Sequence, residues 1–117
     1  MTRILIADSD PRTRQALALL LERKLGLLSA GEAWDCASLE RQLAASAPDL
    51  ILLDCYLPGL SAAEIAAMFG RSAGARLALM SVNADDITTA QALNAAFIYK
   101  GALPEEVLAT LKTLIPA

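Results

Sequence analysis

With 117 residues, the chain is long enough to bury one core and too short for two independent ones. Apolar residues make up 56% and aromatics only 4%, a balance that suits aliphatic helices packed on a sheet and excludes a disordered or fibrous chain. A formal net charge of −3, with no basic run beyond Arg23-Lys24, lacks the footprint of a direct nucleic-acid binder, and no apolar stretch approaches the roughly 20 residues that cross a bilayer.

Apolar runs at 3–7, 27–33, 49–53, 76–81 and 96–99 alternate with amphipathic stretches of helical period, the pattern of repeated β-α units around a parallel sheet. The first run, Ile4-Leu5-Ile6-Ala7, ends in Asp8. Asp10-Pro11 then offers an N-cap followed by a first-turn proline; Ala16, Leu17, Leu20 and Leu21 recur at helical spacing, and Gly26 stops the helix. A second helix is expected from about Asp35 to Ser46, with Leu39 and Leu43 on one face, ending before Pro48, which disfavours helical geometry at Ala47.

The run Leu50-Ile51-Leu52-Leu53 ends in Asp54 and leads into a turn, Leu57-Pro58-Gly59. Ser61-Ala62-Ala63-Glu64 reads as a capping box and predicts a third helix from Ala62 to about Phe69, before Gly70. Leu77-Ala78-Leu79-Met80 ends in Ser81. Asp85 and Asp86 begin a fourth helix, where negative charge suits the positive end of the dipole, and no chemistry is assigned to them. Phe97-Ile98-Tyr99 ends in Lys100, and the fifth helix opens at Pro104-Glu105-Glu106 and is expected to bury Val107, Leu108, Leu111 and Ile115.

Two carboxylates, a hydroxyl and an ammonium thus stand at the carboxyl ends of four strands, where open α/β sheets build their sites. A carboxylate becomes a phosphoryl acceptor when a divalent cation and a fixed ammonium neutralise charge on the transferring group. In that scheme Asp54 is the nucleophile, and Asp8 helps hold Mg2+, with the backbone carbonyl of Tyr56 as a further ligand. Ser81 donates to one phosphoryl oxygen and Lys100 pairs with another. Cys36 and Cys55 lack metal-site spacing and fit small buried hydrophobes in a reducing cytoplasm, while Trp34 is expected to pack at the second strand-helix junction.

Ile4 to Asp8, Pro48-Asp49-Leu50-Ile51-Leu52-Leu53-Asp54 with Leu57-Pro58-Gly59, Ser81, and Tyr99-Lys100 together resemble the response-regulator receiver domain of two-component signalling, in order and spacing over essentially the whole chain. The resemblance implies a doubly wound α/β fold: a five-stranded parallel sheet of order 2-1-3-4-5 with five helices on both faces, residues 1–117 forming one receiver domain. It implies phosphorylation of Asp54 by a histidine kinase or phosphotransfer protein with Mg2+, metal contacts from Asp8, Asp54 and the Tyr56 carbonyl, and a switch made by Ser81 and Phe97. Phe97 lacks a phenolic hydroxyl and retains only the packing half of that switch. Output would pass through the face formed by helix four, strand five and helix five, which is also where a homodimer would form. The run from Lys100 to Glu106 is similar to receivers of the LuxR or NarL kind, which carry a DNA-binding output domain in a longer chain.

Three positions depart from the family pattern. Ser9 stands where a second acid normally touches the metal, which puts magnesium affinity in doubt; Asp10, one residue on, competes between reaching the ion and capping helix one. Gly101 replaces a common proline after the lysine, and Val82 brings a branched side chain beside Ser81, expected to narrow access to Asp54. The alternative is a pseudo-receiver, an interaction module with weak or no Mg2+ binding. A small phosphatase of related topology fits poorly because Tyr56 stands where its second catalytic acid would be.

Overall fold

The computed structural model describes residues 2–69 and 75–115. Five strands, β1 (Ile4–Ala7), β2 (Ser29–Ala33), β3 (Leu50–Asp54), β4 (Arg76–Ser81) and β5 (Ala96–Tyr99), alternate with α1 (Pro11–Leu25), α2 (Cys36–Ser46), α3 (Ala62–Phe69), α4 (Ile87–Ala92) and α5 (Pro104–Leu114). All strand pairs are parallel and the sheet order is β2-β1-β3-β4-β5, as expected from the sequence.

The period of two along each strand sorts the apolar runs into two cores. Ile4 and Ile6, Leu50 and Leu52, Ala78 and Met80, and Ile98 meet Leu17 and Leu21 of α1 and Leu111 of α5 on one face. Leu5 and Ala7, Ile51 and Leu53, and Leu77 and Leu79 meet Leu39 of α2, Ile65 of α3 and Ala90 of α4 on the other. The central strands β1 and β3 are buried along their whole length, which is why they read as unbroken apolar runs. β2 lies at an edge, is half-buried, and contains Gly31 and Glu32.

The helix ends follow local chemistry. The Asp10 carboxylate accepts from the Arg12 N–H at 2.9 Å, and Gly26, in the left-handed region at φ 66°, closes α1 by donating to the Glu22 carbonyl. Leu27 is held there too, donating to the Leu21 carbonyl, so β2 begins at Ser29 rather than at residue 27. α2 is capped by Asp35, whose carboxylate accepts from the Ser38 N–H at 2.7 Å while the Ser38 hydroxyl serves the Asp35 N–H in return. Its other end puts Ala47 at φ 43°, outside helical geometry, as Pro48 requires.

The capping box forms as read: the Glu64 N–H donates to Ser61 Oγ at 3.2 Å and the Ser61 N–H donates to Glu64 Oε1 at 3.3 Å. Gly70, expected to stop α3, lies outside the described residues. A 3-10 turn, Ala84–Asp86, precedes the short α4. In α5 Leu111 is buried, whereas Val107, Leu108 and Ile115 are half-buried.

Candidate functional site

The sheet order makes the site. β2 and β3 flank β1, so the chain reverses direction of winding between β1 and β3, and a crevice opens beyond their carboxyl ends. Asp8 follows β1 directly and its N–H donates to the Ala33 carbonyl of β2 at 2.9 Å, extending the ladder by one residue. Asp54 is the last residue of β3, and the next N–H, that of Cys55, donates to the Met80 carbonyl of β4. Ser81 ends β4, and the Lys100 N–H donates to its carbonyl at 2.8 Å, fixing the end of β5 against it.

Three inter-strand spacings of about 4.8 Å separate the backbones of β1 and β5. Lys100 extends its four-carbon stem back over the strand ends to meet side chains reaching from the other strands: its Nζ lies 2.5 Å from Asp8 Oδ2 and 3.3 Å from Asp54 Oδ2. Burial would pull the ammonium's pKa down, but the hydrogen bond to Asp8 and the charges of Asp54 and Asp8 outweigh it, and the pKa is raised. Two carboxylates and one ammonium leave the pocket with a formal charge of −1.

The two carboxylates are not equivalent. Asp8 is 1% exposed and both of its oxygens are engaged, Oδ1 by the Asp10 N–H at 2.9 Å and Oδ2 by Lys100. Asp54 is 7% exposed; its Oδ1 accepts a long 3.2 Å bond from the Tyr56 N–H, and its Oδ2 has the looser approach of Lys100. Asp54 is therefore the less tightly engaged of the two carboxylates. The Cys55 thiol beside it is pushed up to about 11 by burial and by the negative charge of Asp86 and Asp54, so it stays protonated and unreactive.

Ser81 is fully buried and its hydroxyl is spoken for on both sides. It donates to Asp86 Oδ2 at 2.5 Å and accepts from the Asn83 N–H at 3.0 Å. The Tyr56 phenol donates to the same Asp86 oxygen at 2.8 Å. Asp86 stands in helical geometry where the 3-10 turn, capped by Asn83, runs into α4, and its carboxylate makes no cap bond but reaches back to these two hydroxyls. In sequence Asp86 reads only as a helix-start charge, since nothing in a one-dimensional pattern separates an acid that serves its helix from one that turns away from it.

Arg14 is a second residue the sequence did not single out. Its guanidinium donates to the Asp8 carbonyl at 2.7 Å and to Glu32 Oε1 at 3.1 Å, and lies over the Trp34 ring, 5.9 Å from its centre. Trp34 stands at the β2–α2 junction as expected, but half exposed under Arg14. Phe97, registered with Leu79, is half-buried against the α2–α4 side of the core. Val82 is 69% exposed, so its side chain stands in solvent rather than packed over the acceptor.

The donor set decides what ion the pocket can take. Asp8 and Asp54 converge on one point, Lys100 Nζ, so both carboxylates face the same small volume. Asp10 is committed to its helix and Ser9 is exposed, and among the described residues no cluster of three or more acidic, histidine or cysteine groups could hold an ion. Magnesium is commonly held by one or two carboxylates with water completing its shell, and the residues fit a site of that lean kind.

The family model described as the response regulator receiver domain matches residues 4–112, nearly the whole chain. This chain is a member of the response regulator receiver domain family. It is a receiver of two-component signalling. The receiver is 25% identical over 118 residues to the response regulator UvrY of Escherichia coli O6:H1, covering 97% of this chain and 54% of that one. It is 28% identical over 117 residues to the transcriptional regulatory protein ResD of Bacillus subtilis, covering 97% and 48%. The chain thus spans about half the length of these relatives. Among solved structures, RcsB of Salmonella enterica serovar Typhimurium, bound to promoter rprA with the phosphomimetic BeF3−, aligns at TM-score 0.86 and 17% identity, over 99% of this chain and 69% of that one. The response regulatory domain of mrkE from Klebsiella pneumoniae aligns at TM-score 0.86 and 19% identity, over 97% and 94%. At such identities the structures attest the fold alone, and they agree on the flavodoxin-like receiver architecture.

Proposed function

We propose that this receiver accepts a phosphoryl group on Asp54 from a phosphohistidine of a histidine kinase or phosphotransfer protein, and relays the added charge to the α4–β5–α5 face. The observation that carries the reading is the shared ammonium: Lys100 bridges a fully engaged Asp8 and a partly open Asp54. In the transfer, an Asp54 carboxylate oxygen forms a bond to phosphorus as the bond from phosphorus to the imidazole nitrogen breaks. The nitrogen keeps the electron pair and takes up a proton. Lys100 pairs with one phosphoryl oxygen, and Ser81 donates to another once its hydroxyl is free. Asp8, Asp54 and the Tyr56 carbonyl would hold Mg2+, which when bound neutralises charge on the transferring group.

The phosphoryl group brings a charge of about −1.5 to −2 at neutral pH, enough to redraw hydrogen bonds around it. Ser81 moving toward it leaves room that Phe97 fills by turning inward. That repacking alters the α4–β5–α5 surface, where Tyr99 and Leu103 are already exposed at 41% and 63%. A homodimer through this face, and control of a DNA-binding output domain in a longer chain, follow as the partner's side of the switch; the receiver itself, at net charge −3, does not bind nucleic acid directly.

The test is labelling with a small acyl-phosphate donor and Mg2+, read by intact mass: one phosphoryl group on the wild type and none on Asp54→Asn. A second reading, an interaction module that never takes the group, is favoured by exposed Ser9 and the cap-bound Asp10. It predicts undetectable Mg2+ binding in the wild type and a measurable gain in Ser9→Asp.

A further inference from the structure

The buried hydroxyl of Ser81 is held by the wrong anion for a phosphorylated state. Its proton points at Asp86 Oδ2 and its lone pair takes the Asn83 N–H, so it has no donor left for any other oxygen. The same Asp86 oxygen receives the phenol of Tyr56, two residues past the acceptor. One carboxylate therefore ties the loop after β3 to the loop after β4.

An aspartate at a helix N-cap ordinarily satisfies that helix's amides. At the start of α4 that role falls to Asn83, whose side chain accepts from the Asp85 N–H and caps the preceding 3-10 turn, and the Ile87 N–H is served by the Ala84 carbonyl; the Asp86 carboxylate turns to the two hydroxyls instead. Its charge is the chemical counterpart of the group expected on Asp54: an oxyanion that takes the Ser81 proton. Two such anions cannot both be served by one hydroxyl, and they repel each other.

Resting on the phosphoacceptor reading of Asp54, we propose that Asp86 is an internal latch: it occupies Ser81 and Tyr56 in the unmodified receiver, and phosphorylation proceeds by displacing it. Asp86 acts through Ser81 and is a positioning residue, with no contact to the reacting atoms. Displacement frees Ser81 for the phosphoryl oxygen and releases Tyr56 from the β4–α4 loop in one event, so the modification is sensed by both loops together. Tyr56 thereby becomes a reporter of the latch rather than an isolated rim residue.

The experiment is time-resolved labelling of the full chain with acetyl phosphate and Mg2+, followed by intact mass, on the wild type, Asp86→Ala, Asp86→Asn, Ser81→Ala and the Ser81→Ala/Asp86→Ala double variant. Losing a hydrogen bond of ordinary net strength should speed labelling of Asp86→Ala by about three- to tenfold over wild type. Asp86→Asn, which keeps an acceptor but not the charge, should fall between them, and carries the test if the alanine variant unfolds. In the Ser81→Ala background, removing Asp86 should change the rate by less than about twofold. Labelling of Asp86→Ala at or below the wild-type rate overturns the latch. So does an equal acceleration with Ser81 absent, which would mean that Asp86 merely repels an incoming anion. No label on any of the five chains overturns the phosphoacceptor reading itself, and the latch with it.

Discussion

Tyr56 and Asp86 show how one oxygen sets the behaviour of two hydroxyls. The hydrogen bonds from Ser81 and then Tyr56 hold the Asp86 carboxyl below its ordinary 3.8, burial opposing them. Its contribution to stability is therefore fully present above that value and is lost as pH falls through the lowered one. The same bond holds the Tyr56 phenol above its ordinary 10.0, since ionising it would set a phenolate against a carboxylate. In a Tyr99→Phe background, ultraviolet titration of the remaining tyrosine should give a midpoint above 10.0 that returns toward it in Asp86→Ala. Coincident curves would show the bond to be idle in solution. Lys100 makes the converse case: its raised pKa means stability that persists below its ordinary 10.5 and is lost as pH climbs through the folded value. Because its ammonium sits on the carboxylates that would hold a metal, Lys100→Met should bind Mg2+ severalfold more tightly by calorimetry while labelling more slowly. Unchanged affinity would place the ion elsewhere. The Asp8, Asp54, Ser81 and Lys100 set was legible because each ends an apolar run. Asp86 was not, because its partners lie 30 and 5 residues back and its sequence context is that of a helix start.

Helix ends separate structural acids from functional ones. Asp10 accepts from the Arg12 N–H, so Asp10→Ala should cost about 1 kcal/mol in urea unfolding and leave Mg2+ affinity within about twofold of wild type. A large loss of Mg2+ affinity would instead make Asp10 the stand-in for the missing acid at Ser9. Ala47, at φ 43°, carries a side chain where glycine is at ease, and Ala47→Gly should stabilise the fold by about 0.5–1 kcal/mol once the extra freedom of the unfolded chain is discounted. No gain would mean that Pro48 already restricts the unfolded chain there. The caps of α1 and α3 were readable because they are local: a side chain serving an amide two or three residues on. The start of β2 was not, because Leu27 is retained by the end of α1 through a backbone bond that hydropathy does not record. Gly31 and Glu32 further blur this edge strand, whereas β1 and β3, buried on both faces, announce themselves.

At the scale of the molecule, parallel pairing does the work of assembly. Asp8, Asp54 and Lys100, far apart in the chain, meet because their strands run the same way and end together; Ser81 ends β4 between Asp54 and Lys100 with its hydroxyl turned to Asp86, and the order β2-β1-β3-β4-β5 sets the two acids beside the reversal. The core below is aliphatic and fully buried, and Leu52, central in β3, illustrates the rigidity: Leu52→Ala should cost about 2–5 kcal/mol. A firm sheet carrying loops that can exchange hydrogen-bond partners is the architecture a charge-driven switch requires. Every step of the switch depends on Asp54 taking the phosphoryl group. The most direct measurement is intact mass of the wild type and Asp54→Asn after exposure to an acyl phosphate and saturating Mg2+. One added phosphoryl group on the wild type, absent from the variant, is the expected result; an unmodified wild type, or equal labelling of both chains, would contradict it.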